Sequence, residues 1–269
     1  MNRLTIDKQI TALNMLVEGN SIRGIERITG IHRDTIMRLS ISVGENCRYY
    51  MNQNFHNLDC KNIECDEIWT FVGKKQKNVK SNDNPELGNQ YIFVAIDRDT
   101  KLVPEYLVGN RDFHTAFLFM QNLRRRVKSG FQLTTDKFTG YYGAVTWTFG
   151  TMIDYATVTK LYHGDGNGRR EGYSPCNLLR TEIGVVYGNP KPEKISTSFV
   201  ERQNLTMRTY LKRLNRLTIA FSKKLVNLQA ALSLHFWHYN FVRQHGTLRM
   251  TPAMAAGISN SFLNWDTVL

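Results

Sequence analysis

The sequence predicts an α/β protein whose mixed sheet is preceded by a small helical unit and followed by C-terminal helices. Apolar residues recur at helical spacing near both ends of the chain, whereas the middle holds short β-rich runs separated by helical segments. With 269 residues, 42% of them hydrophobic, the chain can form one large domain or two unequal ones. We expect a helical domain at 1–45, a linker at 46–60, an α/β domain at 61–215 and a helical extension at 216–269.

The chain is strongly basic, with a formal net charge of +12 and a pI near 9.6. Such an excess favours a polyanionic partner, nucleic acid first and a membrane surface second. No run of about 18 apolar residues is present, and the N-terminus lacks the apolar core of a signal peptide. The four cysteines form no C-x-x-C pair, so we expect free thiols and no structural zinc site. A cytoplasmic protein that binds double-stranded DNA is the expected class.

Three short helices are predicted in the first 45 residues. Ser21 is expected to cap the second helix, and Thr29-Gly30 to form a tight turn before a third helix at about 33–43. Two short helices joined by a glycine-containing turn are typical of a helix-turn-helix, although a plain helical bundle has the same pattern. In a helix-turn-helix, the candidates for specific DNA contacts are Arg23, Arg33 and Arg38.

The middle of the chain predicts a three-stranded meander, then a helix, a fourth strand, a short helix and a fifth strand. These elements are expected at 62–72, 90–97, 102–108, 112–128, 131–136, 139–147 and 155–162, and Asp112 is expected to cap the first of the two helices. This order is that of the ribonuclease-H-like fold. A glycine-rich loop at 163–173 follows, without the strand–loop–helix context of a nucleotide-binding fingerprint.

Glu201 begins a cationic stretch, because nine basic residues and no other acidic residue lie between it and Asp266. Ser196 or Ser198 is expected to cap a helix that carries Glu201 in its first turn, with Asn204, Arg208 and Lys212 on the same face. The simpler interpretation is a surface helix on which the Glu201 carboxylate lies near the positive end of the helix dipole. The other interpretation is a metal ligand beside a phosphate backbone, with candidate phosphate contacts at Arg202, Arg208, Lys212, Lys223 and Lys224.

Three carboxylates are expected to meet at one point of such a fold: Asp66 in the first strand, Asp136 at the end of the fourth, and Glu201 on a later helix. Their mutual repulsion would be relieved by two hard divalent cations, Mg²⁺ or else Mn²⁺. Two such ions support in-line displacement at phosphorus by water or a 3′-hydroxyl. Strand alternation puts Glu64 on the face of Asp66 and Glu67 on the opposite face. Asp97 and Asp99 are expected to cap a turn instead.

Segments around these acidic residues match a known set of motifs, namely DEIWTFVG at 66–73, TDKFTGY at 135–141 and TSFVERQNLTMR at 197–208. They resemble the first-aspartate, second-aspartate and glutamate motifs of transposases of the insertion-sequence-one type. FSKK at 221–224 and HYNFVR at 238–243 are also similar to that family, so the resemblance covers about 60–269. Many relatives also carry a cysteine-rich zinc-binding segment ahead of the helix-turn-helix, which this sequence lacks.

The resemblance implies a DDE transposase with Asp66, Asp136 and Glu201 as the metal-binding catalytic triad. It also implies an N-terminal part that recognises terminal inverted repeats, and we expect a homo-oligomer on DNA because two ends must be joined. Two alternatives stay open from the residues alone. One is a metal-dependent nuclease without strand transfer, and the other is a DNA-binding regulator derived from a transposase.

Overall fold

The computed structural model describes residues 4–162, 178–215 and 217–269, and in this part of the chain a six-stranded mixed sheet is combined with helices. The glycine-rich loop expected at 163–173 lies outside the described residues, as does Arg216. None of the helices in the described ranges has the length and apolarity needed to cross a bilayer.

Three helices form the N-terminal part, as predicted: α1 at Ile6–Val17, α2 at Ile22–Thr29 and α3 at Arg33–Asn54. The Ser21 hydroxyl accepts a hydrogen bond from the Gly24 N–H at 3.0 Å, which confirms the predicted cap of α2. Gly30 ends α2 in the left-handed region at φ 71°. The three helices share a small apolar core made of Ala12, Ile25, Ile31 and Ile36.

Helix α3 is longer than the sequence pattern predicted, because it continues to Asn54 instead of ending near residue 43. Val43, Cys47 and Met51 extend its apolar stripe at intervals of four residues, and all three are buried. Gly44 lies against helix α7 (Leu225–Trp237), where a Cβ would come within 2.8 Å of the Ala230 carbonyl oxygen. The predicted boundary between domain and linker therefore falls inside a continuous, packed helix.

The sheet has the strand order β3-β2-β1-β4-β5-β6. Strand β1 pairs antiparallel with β2 and β2 with β3, which confirms the predicted meander. Strands β1, β4 and β5 are parallel, and β6, which the sequence analysis missed, pairs antiparallel with β5. The strands span Asn62–Val72, Gly88–Asp97, Glu105–Gly109, Gln132–Asp136, Asp154–Tyr162 and Leu178–Tyr187.

Helices α4 and α5 lie on one face of the sheet and α6 lies on the other. They span Phe113–Arg126 (α4), Thr139–Phe149 (α5) and Ser198–Tyr210 (α6), and a short helix, α8, is formed by Pro252–Ala255. The Asp112 carboxylate accepts the Thr115 N–H at 2.8 Å, as predicted for the cap of α4. Helix α7 begins at Leu225 and changes to a π-helix at His238–Val242.

Asp97 confirms its predicted role in the turn after β2, because its Oδ2 accepts the Thr100 N–H at 2.9 Å. Asp99 was expected to act in the same way. Its carboxylate instead accepts a hydrogen bond from Asn62 at 2.8 Å and lies 3.6 Å from Lys194 Nζ.

Candidate active site

Asp66 and Asp136 lie side by side on neighbouring strands. Cys65 of β1 is opposite Thr135 of β4 in the parallel register, so the next position on each strand carries an aspartate. Asp136 is the last residue of β4, and its side chain is 35% exposed. The two aspartates therefore meet at the carboxyl end of β4, where the strand order predicted that they would.

Glu67 joins the two aspartates, which the sequence analysis did not foresee. One carboxylate oxygen from each of Asp66, Glu67 and Asp136 lies within 4.8 Å of the other two. Among the described residues, these three form the acidic group whose spacing suits a metal ion. Glu67 is on the predicted opposite face of β1, near Tyr141 of α5, and its side chain is 3% exposed. Since β4 ends at Asp136, side chains from both faces of β1 can reach the space beyond that strand end. The alternation of side chains along β1 predicted the face of Glu67 correctly, but it did not predict that Glu67 would meet the two aspartates.

Burial raises the pKa values of all three carboxyl groups, and repulsion between the carboxylates adds to this at Asp66 and Glu67. Asp66 has its pKa raised to about 7, first by burial and then by the charges of Glu67 and Asp136. Burial is also the main reason why the pKa values of Glu67 and Asp136 are raised. Carboxylate oxygens are the preferred ligands of hard divalent cations, and such a cation would remove the repulsion. The donor set therefore fits Mg²⁺ or Mn²⁺.

Arg111 partly neutralises this acidic group. Its Nε donates to Glu67 Oε1, and its Nη2 lies 3.6 Å from Asp136 Oδ2. The guanidinium also lies over the Phe138 ring, 4.3 Å from the centroid, which fixes its plane. One cation beside three carboxylates leaves a negative balance when all three are ionised. The sequence contained no local signal for Arg111, because it follows β3, two strands away from β1.

Helix α6 approaches Asp66 from the other face of the sheet. Asn204 Nδ2 donates a hydrogen bond of 2.8 Å to Asp66 Oδ2. Asn204 is buried, so this bond holds the Asp66 carboxylate in one orientation. The sequence analysis placed Asn204 on the same helix face as Glu201 but assigned it no role.

Glu64 of β1 caps the start of α6. Its Oε2 accepts the backbone N–H groups of Phe199 at 2.8 Å and Val200 at 3.0 Å. Ser196, one of the two predicted caps, accepts only the Ser198 N–H at 3.0 Å. Burial raises the pKa of Glu64 to about 7, while the two N–H donors act in the opposite direction. The start of α6 is therefore capped mainly by a side chain of strand β1, and the predicted cap by Ser196 or Ser198 was wrong, because Ser198 is the first residue of the helix.

Glu201 lies in the first turn of α6, one turn before Asn204, but outside the group formed by Asp66, Glu67 and Asp136. Lys160 of β5 donates to its Oε2 at 2.6 Å, and the Thr197 hydroxyl donates to its Oε1 at 2.8 Å. The Glu201 side chain is 43% exposed. The structure therefore brings Asp66 and Asp136 together and places Glu201 beside them in an ion pair. Its role as a metal ligand stays a prediction.

The basic candidates are distributed over several elements. Arg208 is half-buried on α6, one turn after Asn204. Lys212 was expected on the same helix, but α6 ends at Tyr210 and Lys212 begins a short 3₁₀ turn. The other basic candidates have exposed side chains. They are Arg202, Lys212, Lys223 and Lys224 on or after α6, and Arg23, Arg33 and Arg38 on α2 and α3.

Two similar solved structures are transposases bound to DNA. A piggyBac transposase synaptic complex with hairpin DNA aligns with a TM-score of 0.38 and 12% identity, covering 88% of this chain and 67% of the other. A Mos1 transposase paired-end complex with the left transposon end aligns with a TM-score of 0.23 and 12% identity, covering 58% of this chain and 59% of the other. Both TM-scores are low, and neither likeness establishes a family or an activity. No model of a known protein family matches the chain, and no curated protein matches it.

Proposed function

We propose that this chain is a DDE-type transposase, which cuts DNA at the ends of a mobile element and joins the freed 3′ ends to target DNA. The observation that supports this proposal most directly is that the carboxylates of Asp66, Glu67 and Asp136 lie close together beside helix α6. A hydrolase or transferase that acts on phosphodiesters through two metal ions needs such a carboxylate group, whereas a pure DNA-binding protein does not. The insertion-sequence-one type is the proposed family, on the strength of the three motifs around Asp66, Asp136 and Glu201.

The sheet supports a ribonuclease-H-like catalytic domain. Its first five strands have the order 3-2-1-4-5, with β2 antiparallel and β1, β4 and β5 parallel. In this arrangement the first and fourth strands are neighbours, and each supplies one aspartate. The fold thus accounts for the meeting of two residues that are 70 positions apart in the sequence.

Asp66 and Asp136 would hold the divalent cation, Mg²⁺ before Mn²⁺, with Glu67 and Glu201 as the candidate additional ligands. When bound, a pair of such ions would activate the attacking water or 3′-hydroxyl and stabilise the leaving oxygen. The protein's own groups position the ligands. Asn204 orients Asp66, Arg111 holds the carboxylates of Glu67 and Asp136, and Lys160 fixes Glu201 at the edge of the site. No amino-acid nucleophile is required by this proposal.

The basic surface supplies the proposed DNA contacts. With a net charge of +12, the chain attracts phosphate backbones without regard to sequence. Arg208, next to Asn204 on α6, is the first candidate for holding phosphate near the carboxylates, followed by the exposed cations Arg202, Lys212, Lys223 and Lys224. Helices α2 and α3 form the proposed helix-turn-helix that would recognise terminal inverted repeats through Arg23, Arg33 and Arg38. A cytoplasmic, nucleoid-associated enzyme follows from this proposal.

The deciding experiment is a strand-transfer assay with purified protein, Mg²⁺ and a labelled duplex that carries the terminal inverted repeat flanking its gene. Joined products are expected from wild type and from Glu86→Gln, which neutralises an exposed carboxylate in a remote loop. Asp136→Asn and Glu201→Gln should each abolish both nicking and joining while end binding persists. Nicking without joined product would point to a nuclease. Binding with no chemistry from wild type would leave the regulator as the better account.

A further inference from the structure

Strand β6 is exposed along most of its length. It is the last strand of the sheet, its registered partner is β5 alone, and residues 178–185 are all exposed. Within the described residues, nothing else forms a strand ladder with its outer edge. Such an edge presents a row of backbone donors and acceptors that can pair with another strand.

The side chains of β6 do not oppose such pairing. Leu179, Ile183 and Val185 are 62%, 53% and 59% exposed, an unusual amount of apolar surface for an edge strand. Edge strands are often protected by proline or by several charges of one sign. Here Leu178–Tyr187 contains no proline, and its two charged residues, Arg180 and Glu182, have opposite signs and pair with each other at 2.6 Å.

The order of the charges selects one symmetric register. When two copies of a strand pair antiparallel about a twofold axis, the two residues of each facing pair lie on the same face of the sheet. One residue therefore lies on the axis and faces the same residue of the other copy. With Arg180 on the axis, two arginines would face each other, and with Glu182 there, two glutamates would. With Thr181 on the axis, Arg180 of each copy faces Glu182 of the other. Ile183 then lies on the opposite face of the sheet, across from the end of the partner strand near Leu179, where the register with β5 shifts by one residue.

We propose that β6 is a dimerisation strand, which pairs antiparallel with β6 of a second copy of this chain with Thr181 on the twofold axis. The two sheets then form one continuous sheet, and the exposed apolar side chains of each β6 contact those of the other. The interface is argued from β6 alone and does not rest on the proposed DNA chemistry.

The axis falls close to the candidate site. Thr181 is the register partner of Lys160 on β5, and Lys160 holds Glu201. Two facing copies put Lys160 and its counterpart three strand spacings apart, about 14 Å at ~4.8 Å per spacing. A twofold axis perpendicular to the sheet keeps both α6 helices on one face. The dimer would thus present two carboxylate sites on the same side, as joining two DNA ends requires.

Charge reversal tests the register. Sedimentation of the full chain without DNA should show a wild-type dimer whose dissociation constant rises at least about tenfold in Arg180→Glu and in Glu182→Arg, because each change affects two facing pairs. The double variant Arg180→Glu with Glu182→Arg should regain the wild-type value, and Glu86→Arg, a reversal in a remote loop, should keep it. A monomeric wild type would overturn the proposal, and so would a double variant as weak as the single ones.

A cysteine on the axis gives an independent measurement. In an antiparallel pair, facing Cα atoms are about 4.5–5.5 Å apart, within the range that a disulfide spans. Thr181→Cys should therefore give a covalent dimer on mild oxidation, whereas Ser129→Cys, at an exposed position elsewhere, should not. Cys176 is replaced by serine in both variants, and the other three cysteines are buried. A dimeric protein whose Cys at 181 crosslinks no faster than that at 129 would have its interface elsewhere, which would refute the assignment to β6.

Discussion

Lys160 and Glu201, on strand β5 and helix α6, form an ion pair in which Nζ lies 2.6 Å from Oε2. The pair lies at the edge of the carboxylate group rather than inside it, since Glu201 is not among the side chains that converge. Lys160 therefore neutralises the residue that the sequence motifs single out as the third acid. A cation that binds Glu201 would have to displace or share this ammonium group.

Removing that competition gives the first prediction. Lys160→Met should raise the affinity for Mn²⁺ about 3- to 10-fold, because a positive charge close to the metal site is lost. Titration followed by electron paramagnetic resonance measures the free Mn²⁺ directly. Lys77→Met, which removes an exposed charge in a distant loop, should leave the affinity unchanged. Unchanged affinity in both variants would place Glu201 outside the metal site.

The second prediction concerns the pH dependence of stability. The folded pKa of Asp66, about 7, is above the ordinary aspartate value, so the metal-free folded state holds a proton that the unfolded state releases near pH 4. This group's contribution to stability is thus present below about pH 4 and is lost as pH rises towards 7. The free energy of unfolding of Asp66→Asn, relative to that of wild type, should therefore increase by roughly 2 kcal/mol when the pH is raised from 5 to 8.

Urea unfolding in EDTA at both pH values measures that difference. The comparison with Asp66→Asn is needed because buried His235, with its pKa lowered to about 3, acts in the opposite direction as pH falls. Adding Mg²⁺ at pH 8 should stabilise wild type but not Asp66→Asn. A difference between the two proteins that is independent of pH would contradict a raised pKa at Asp66.

The third prediction tests the cap supplied from strand β1. Glu64→Ala leaves the N–H groups of Phe199 and Val200 without their acceptor and should lower the free energy of unfolding by about 2–3 kcal/mol. Glu64→Gln keeps an oxygen in place and should cost about 1 kcal/mol or less. Ser196→Ala removes a more exposed acceptor and serves as the control. Denaturant titration would count against the cap if all three variants lost the same amount.

The fourth prediction concerns the contact between α3 and α7. Gly44→Ala should lower the free energy of unfolding by about 1–2 kcal/mol, since the new methyl group would be 2.8 Å from the Ala230 carbonyl oxygen. The better helix propensity of alanine offsets only about 1 kcal/mol of that strain. Gly246→Ala is the matched control, because a Cβ there would meet no heavy atom within 4 Å. Thermal or urea unfolding distinguishes the two, and a stabilised Gly44→Ala protein would show that the helices can move apart freely.

The fifth prediction addresses DNA recognition by α3. Arg38→Ala should weaken binding to the terminal inverted repeat about tenfold and binding to a random duplex much less, if Arg38 contacts base edges. Lys77→Ala is a control for the loss of one exposed charge. Fluorescence anisotropy at a fixed salt concentration measures both affinities. Equal losses on both duplexes would make Arg38 a phosphate contact only.

Much of the fold was visible in local patterns. The period of the apolar residues predicted the three N-terminal helices and the β-meander, and Ser21 and Asp112 marked two helix starts correctly. The same method placed Asp66 and Asp136 side by side, because the order of elements implied that their strands are neighbours. It failed where a pattern is governed by distant packing. The extension of α3 to Asn54 depends on α7, and the exposed strand β6 lacks the buried face that gives a strand its period.

The sequence by itself determined the basic charge, the order of the helices and of the first five strands, and the acidic residues worth testing. Only the tertiary structure decided what surrounds those acids. Glu67 converges with the aspartates because β4 ends beside it, and Glu64 caps a helix that begins 134 residues later in the chain. Arg111 and Lys160 reach the site from other strands and loops. Periodicity records which face of an element is buried, whereas side-chain contacts between remote segments depend on how whole elements pack together.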